Sequence, residues 1–278
     1  MQEKLADAVA AHYGRDGLLE DILAGLEKLG GDPDNPAPEQ LAAVDEFHTA
    51  GRITTLEALG MTPLRKGMHV LDAGCGIGGT ARVLARDLGC RVTGIDLTPQ
   101  YVDVARTLTA RMQLDTACEF HTGNVLAMPF PDSMFDAAVT FHVAMNIPDR
   151  ARLYGEFARV LRSGATLCLF DVMKGATPGM TYPVPWAETD ATSFLRTPSE
   201  TRDHLVAAGF RLEREESRHS FAVSFFREVL AKAAKAEGPP PLGLHLLTGQ
   251  NAPEKFANYL RGLEAGQIDP VIMVATRL

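Results

Sequence analysis

Ten residues, Val70 to Gly79, read VLDAGCGIGG. An apolar run ends in a glycine-dense turn, and a helical pattern follows. Glycines let a backbone take positive φ and approach a ligand closely. Gly74, Gly76 and Gly79 satisfy G-x-G-x-x-G, a spacing that suits a nucleotide-type ligand; a tight turn with no ligand is the plain alternative. Asp96 closes the next apolar run, 20 residues after Gly76 (96 − 76). A carboxylate there accepts hydrogen bonds from ribose hydroxyls, or serves as a helix N-terminal charge ahead of Thr98-Pro99. Asp72 lies inside the turn itself. Beside a pyrophosphate it would repel; beside a sulfonium or an ammonium it attracts. The pattern D-x-G-x-G-x-G, Asp72-Gly74-Gly76-Gly78, therefore suits a cationic amino-acid ligand better than a diphosphate.

Three further stretches carry side chains able to do chemistry. FHVAMNIPD, Phe141 to Asp149, follows a strand candidate, and ligands of open α/β sheets sit beyond the carboxyl ends of the strands. His142 is a candidate base, acceptor anchor or ligand contact, or else a helix cap. Met145 and Asn146 lie one turn on and either line the same pocket or simply pack. DEFHTAGR, Asp45 to Arg52, is an odd cluster for a surface helix, and it contains His48. YPVPWA, Tyr182 to Ala187, contains Trp186, the only tryptophan. Tyr182 and Trp186 would box a flat or cationic acceptor, or plug an insertion in place.

These groups need a frame. Residues 1–62 read as helical, with a break at GGDPDNPAP and a second helical stretch from Pro38 that includes DEFHTAGR. From Met68, short apolar runs alternate with helical segments. Strands are expected at His69–Ala73, Arg91–Asp96, Glu119–Thr122, Ala137–Phe141 and Thr166–Val172. Helices are expected at Gly78–Leu88, Pro99–Arg111 and Arg150–Leu161, with Thr98 as an N-cap. That alternation predicts a doubly wound, mostly parallel sheet. The segment after Val172 is rich in Gly, Pro and aromatic residues, and is too long for an ordinary connection. A helix at Ser199–Ala208, a strand at Phe210–Glu215, helices at Phe221–Lys235 and Pro253–Leu263 and a last strand at Pro270–Thr276 complete the expectation.

With Asp72 and the glycine turn in view, the chain resembles the class I S-adenosylmethionine (SAM)-dependent methyltransferases. FHTGNVLAMPFPDSMFDAAVTFH, Phe120 to His142, and EFARVLRSGATLCLFDV, Glu156 to Val172, are similar to that family's later strands and turns; Gly164-Ala165 stands where Gly-Gly is usual. A D-x-F-H-x-x-G-like stretch (Asp45, Phe47, His48, Gly51) resembles the cover of the sarcosine/dimethylglycine N-methyltransferase group. The resemblance implies a seven-stranded Rossmann-like fold with an N-terminal helical cap over 1–62. It implies a SAM-binding domain over 63–278, with a lid insertion at 173–197 after strand 5 and an insertion at 217–268 between strands 6 and 7. SAM would meet Asp72, Gly74, Cys75, Gly76, Gly78, Asp96, Leu97, Asn124, Val125 and His142, where Asn124 replaces the family's frequent Asp. His142 and His48 would stand at the catalytic end; His48, Met145, Asn146, Tyr182 and Trp186 would meet the acceptor. The activity implied is methyl transfer to a small molecule, an amine favoured over a hydroxyl, thiol or carbon. A non-catalytic SAM-binding protein and a nicotinamide-dependent oxidoreductase are the competing readings.

Composition bounds the partners. The formal net charge is −8, and 46% of residues are hydrophobic against 22% charged. An acidic surface disfavours nucleic acid, and the basic residues of Arg211 to Arg218 are interleaved with glutamates. Four scattered cysteines offer neither a disulfide framework nor a zinc site, and no metal is expected. No apolar run reaches the roughly 18 residues of a membrane span, and MQEKLADAVAAHYG lacks a signal layout. The expectation is a cytoplasmic protein with no membrane partner, monomeric or homodimeric.

Overall fold

The computed structural model describes residues 2–249 and 251–278. The strands are β1 (His69–Ala73), β2 (Arg91–Asp96), β3 (Cys118–Thr122), β4 (Phe135–Phe141), β5 (Leu161–Lys174), β6 (Phe210–Ser217) and β7 (Ile268–Arg277). They form one sheet in the order β3-β2-β1-β4-β5-β7-β6, parallel except where β7 runs antiparallel to β5 and β6. The chain leaves β1 towards β2 and β3, then returns to β4 on β1's other side. The carboxyl ends of β1 and β4 thus lie side by side at the switch point, where such sheets bind ligands.

The helices are α1 (Gln2–Tyr13), α2 (Leu18–Lys28), α3 (Pro38–Leu41), α4 (Arg52–Gly60), α5 (Gly79–Leu88), α6 (Pro99–Arg111), α7 (Arg150–Val160), α8 (Pro198–Ala207), α9 (His219–Ala233), α10 (His245–Thr248) and α11 (Ala252–Glu264). Alternation along the strands sends successive side chains to opposite faces. Leu71, Leu167, Leu169 and Met273 meet Leu153 and Phe157 of α7 and Leu205 of α8. Val70, Val92, Val139, Phe170 and Ile272 meet α4, α5 and α6 through Ala58, Leu59, Leu84 and Val102. Both faces are covered, as a mostly parallel sheet requires. β6 is an exposed edge whose charges are paired: Arg211 with Glu213 of the same strand at 2.8 Å, and Glu215 with Arg202 of α8 at 2.8 Å.

The N-terminal region departs from the expected pair of continuous helices. α4 belongs to the sheet's own helical layer. Residues 42–51, which include all of DEFHTAGR but Arg52, lie outside any helix: Ala50 and Gly51 have φ of 61° and 49°, which a right-handed helix cannot hold. α1 and α2 instead form a cover. Leu18 and Ile22 of α2 pack with Leu41, Val44, Tyr101, Leu242 and Leu247, so the segment around GPPPLG is clamped to the N-terminal helices. Gly25 permits this, because a Cβ there would stand 2.3 Å from the Pro241 carbonyl oxygen. Thr98 occupies the N-cap position of α6, but its side chain makes no cap; its own N–H donates to Asp96 instead. No helix among the described residues is long and apolar enough to cross a membrane.

Candidate active site

A cavity of about 200 Å³ opens over the carboxyl ends of β1, β2 and β4. One half is backbone and acid. β1 runs through Asp72 into the turn, where Gly74, Gly76 and Gly78 all take positive φ (79°, 52° and 86°). Gly74 has a second reason to be glycine: a Cβ there would lie 2.1 Å from Val143 Cγ2, in the loop leaving β4. The turn is pinned to β2, since Gly74 N–H donates to the Ile95 carbonyl at 2.7 Å and Gly76 N–H to Asp96 Oδ2 at 2.8 Å. Asp96 also accepts the Thr98 N–H at 2.9 Å.

Asp72 is buried, and its Oδ2 has no hydrogen-bond partner. Burial, helped by the charges of Asp96 and Glu46, pushes its carboxyl up to about 7. An unpartnered buried carboxylate oxygen costs free energy unless a donor meets it. Asp96 is likewise raised, by burial against the hydrogen bonds of Thr98 and Gly76. Gly74, Cys75, Gly76, Leu97, Asn124 and Val125 line this half of the cavity. Asn124 Oδ1 accepts the Leu126 N–H at 2.8 Å, so its amide nitrogen is the more available group for a base edge. Cys75 is a small buried residue whose thiol is pushed well above its ordinary value by burial.

Gly78 and Gly79 serve packing. Gly78 caps α5 and does not line the cavity. A Cβ on Gly79 would lie 2.2 Å from the Asp45 carbonyl oxygen. Arg82 completes this seam: it is buried, pairs with Asp45, and donates to Ile77 O at 2.9 Å and Thr109 Oγ1 at 3.0 Å. Burial, opposed by Arg82, raises Asp45 to about 6. The first turn of α5, where a dinucleotide's phosphates would sit, is thus pressed by the backbone of the DEFHTAGR segment.

The second half is aromatic and apolar. His48 and His142 meet there, ring centroids 5.8 Å apart, and both pack on Phe170. His142 holds a φ of 54° just after β4, its N–H tied to Phe170 O at 2.7 Å. Burial lowers its pKa well below the ordinary range, with the neighbouring His48 acting in the same direction, so it is neutral near pH 7. The Thr49 N–H donates to His142 Nε2 at 3.5 Å, which assigns the ring proton to Nδ1. For His48 the bookkeeping runs the other way. Thr55 Oγ1 gives its single proton to Glu46 and lies 2.9 Å from His48 Nε2, so Nε2 is the donor. Glu46 lies 3.3 Å from the same nitrogen. A neutral His48 is left with its lone pair on Nδ1, a buried atom with no partner.

Met145, Asn146 and Trp186 also line this half. Asn146 is a structural hub: its amide donates to Trp186 O at 2.9 Å and Thr192 O at 2.8 Å, and it accepts from Tyr13 Oη at 3.2 Å. Trp186 is buried, edge-on to Tyr259 at 6.0 Å, with its indole N–H on Ser193 Oγ at 3.0 Å. It forms wall rather than a free stacking face. Tyr182 is not among the lining residues; it is half-buried and packs against the outside of the apolar cluster that holds Val184, Trp186 and Tyr259. The boxing pair expected from the sequence is therefore not assembled, because the turn at 183–187 points only part of the segment inward.

Several contributing residues carry no motif. Glu46 and Thr55 orient His48, and Tyr13 and Tyr259 reach the cavity from α1 and α11. Asp171, at the end of β5, accepts N–H groups of Val172, Met145 and Ala144 and so holds the loop that carries His142; burial raises it to about 7. Glu46 had one available signal, its place two residues before His48 in a cluster too polar for a buried turn.

The match to known proteins agrees with this geometry. Residues 71–169 match the family model described as a methyltransferase domain. The chain is 34% identical over 171 residues to the 2-methyl-6-phytyl-1,4-hydroquinone methyltransferase of Synechocystis sp., covering 60% of this chain and 51% of that protein. It is 28% identical over 214 residues to an O-methyltransferase of Pyrenophora dematioidea, covering 76% and 78%. The chain thus spans about half the length of the first relative and most of the second. The [4+2]-cyclase SpnF superposes with a TM-score of 0.66 at 24% identity, covering 81% of this chain and 80% of that one. Residues 71–169 thus match a methyltransferase domain, and the strand order and the acid-bearing glycine turn are in keeping with that match.

Proposed function

We propose that this protein transfers a methyl group from SAM to a small-molecule acceptor. The observation that carries the reading is the orphaned oxygen of Asp72, buried beside Asp96 in a cavity that continues to the His48–His142 pair. Among the described residues no lysine or arginine lines that cavity. A dinucleotide would set its pyrophosphate against carboxylates with no counter-charge; an amino-acid cation and a sulfonium suit them. Bound SAM supplies a methyl carbon already activated by the charge on sulfur. Asp72 and the backbone of Gly74 to Gly76 hold the methionine end, Asp96 takes the ribose hydroxyls, and Leu97, Asn124 and Val125 receive the adenine. The cover of α1, the 182–187 turn and α11 excludes water, and the histidines hold the acceptor in line. Such positioning is worth up to about 7–11 kcal/mol. A cytoplasmic location belongs to the same reading.

A cyclase shares the fold, so turnover has to be measured directly. Calorimetric titration is expected to give binding of SAM and none of NAD. Incubation with SAM and a metabolite library is expected to release S-adenosylhomocysteine with at least one acceptor. Tight NAD binding without SAM binding would overturn the reading.

A further inference from the structure

The two halves of the cavity differ in charge, and the difference bears on the acceptor. The acceptor half is walled by Val9, Met145, Trp186, Phe226, Leu247 and Phe256. The cavity's carboxylates are Asp45, Glu46, Asp72 and Asp96. Asp45 is engaged by Arg82 and Glu46 by Thr55, while Asp72 and Asp96 close β1 and β2 on the cofactor side. No cationic side chain among the described residues lines the cavity. An anionic acceptor would therefore bury its charge unpaired, and an ammonium would find aromatic walls but no free carboxylate. Both are strongly disfavoured in an enclosed apolar site.

The polar atoms tell the same story. Tyr13 and Asn146 bond to each other, Thr49 bonds to Tyr259, and both Asn146 amide protons go to carbonyls. What remains is the Tyr101 hydroxyl, buried and unpartnered beside Tyr13, and the histidine pair, which is the closer to the carboxyl end of β4. His48 Nδ1 carries a lone pair and no partner, and His142 carries its proton on Nδ1. One nitrogen accepts and the other donates, which is the complement of a single hydroxyl group.

Resting on the methyl-transfer reading above, we propose that the acceptor is an uncharged, predominantly apolar molecule that presents one hydroxyl to His48 and His142. The hydroxyl oxygen's electron pair forms the new bond to the methyl carbon, its proton passes to His48 Nδ1, and the electron pair of the broken carbon–sulfur bond stays on sulfur. Glu46, hydrogen-bonded through Thr55, is the positioning residue that keeps the His48 lone pair on Nδ1.

Trp186 provides the readout, since it is the only tryptophan and it lines the acceptor half. Its fluorescence is followed while the protein, saturated with S-adenosylhomocysteine, is titrated with one skeleton bearing four headgroups: geraniol, geranyl methyl ether, geranylamine and geranyl diphosphate. Geraniol is expected to bind at least about tenfold more tightly than the amine and the diphosphate, which must bury unpaired charge. It is also expected to bind several-fold more tightly than the ether, which has no proton to give. In Leu247→Arg the diphosphate is expected to gain and geraniol to lose. Tighter binding of amine or diphosphate by the unaltered protein would overturn the uncharged class, as would failure of all four. An ether equal to geraniol would overturn the hydroxyl assignment. S-adenosylhomocysteine binding is measured separately by calorimetry; its absence would strike the cofactor reading, not this one.

Discussion

The cofactor half of the cavity is made by one short piece of chain and its neighbour in the sheet; the acceptor half is made by segments drawn from nearly the whole chain. Asp72 to Gly76 and Asp96 are held by parallel register and by backbone hydrogen bonds to β2. The acceptor walls come from α1, the loop after β4, the 182–187 turn, α9, α10 and α11, held by side chains that reach foreign carbonyls. Arg15 bonds to Leu246 O at 3.0 Å, Asn258 to Pro183 O at 2.9 Å, and Lys255 to Thr248 O at 3.0 Å. Backbone geometry recruited by glycines tolerates little change, whereas a cover tied by side chains is free to vary with its acceptor. Such a cover is also the part able to open, because its ties can break one at a time.

Substitutions can separate the two halves, and the largest effect is expected at the histidines. His48→Gln should lower kcat about 10²–10⁴-fold while leaving SAM affinity unchanged, and high pH should restore part of the loss as the acceptor ionises unaided. A small loss insensitive to pH would mean that His48 only positions. Next is the seam between the halves. Arg82→Leu leaves Asp45 buried without its partner and should destabilise the fold by about 3–5 kcal/mol, read from denaturant melts; a loss below 1 kcal/mol, order of magnitude, would show that Asp45 is content as the neutral acid.

Asp96→Ala should weaken SAM binding by about 1.5–3 kcal/mol, roughly 10- to 150-fold. Unchanged affinity in the folded variant would remove the ribose assignment. Asn146→Ala tests the other half: it should raise KM for the acceptor and cost about 1–3 kcal/mol of stability by stranding two carbonyls, with SAM affinity preserved. Loss of SAM binding there would mean the halves are not separable.

The smallest effect is a dependence on pH. Burial raises Asp72 and Asp171 to about 7 and Asp45 to about 6. The folded chain therefore holds more protons than the unfolded chain from the ordinary carboxylate range up to about 7, and these groups make stability fall as pH rises through that window. A cation beside Asp72 favours its ionised form. SAM affinity should accordingly rise between about pH 5 and pH 8, and Asp72→Asn should abolish that rise. Titrations across the range, with melts at the same pH values, check both signs.

Local pattern made much of this protein readable. The positions of β1, β2 and β4 follow from short apolar runs, and the turn after β1 follows from its glycines, because both depend on residues within a few positions of one another. Asp72 was legible as an attractor of positive charge for the same reason. What the tertiary structure decided is everything that depends on distant neighbours. Gly79 looks like part of a ligand loop, and its role is to admit the Asp45 carbonyl. Tyr182 and Trp186 look equivalent in sequence, yet Tyr182 is half-buried at the edge of the apolar cluster and Trp186 is buried in it and forms cavity wall. DEFHTAGR lies in a span read as helical, but two left-handed residues turn it back on itself, so that Glu46 and Thr55 can orient His48. Hydrogen-bond partners such as these lie outside any local window, and so the proton arrangement of the site belongs to the fold alone.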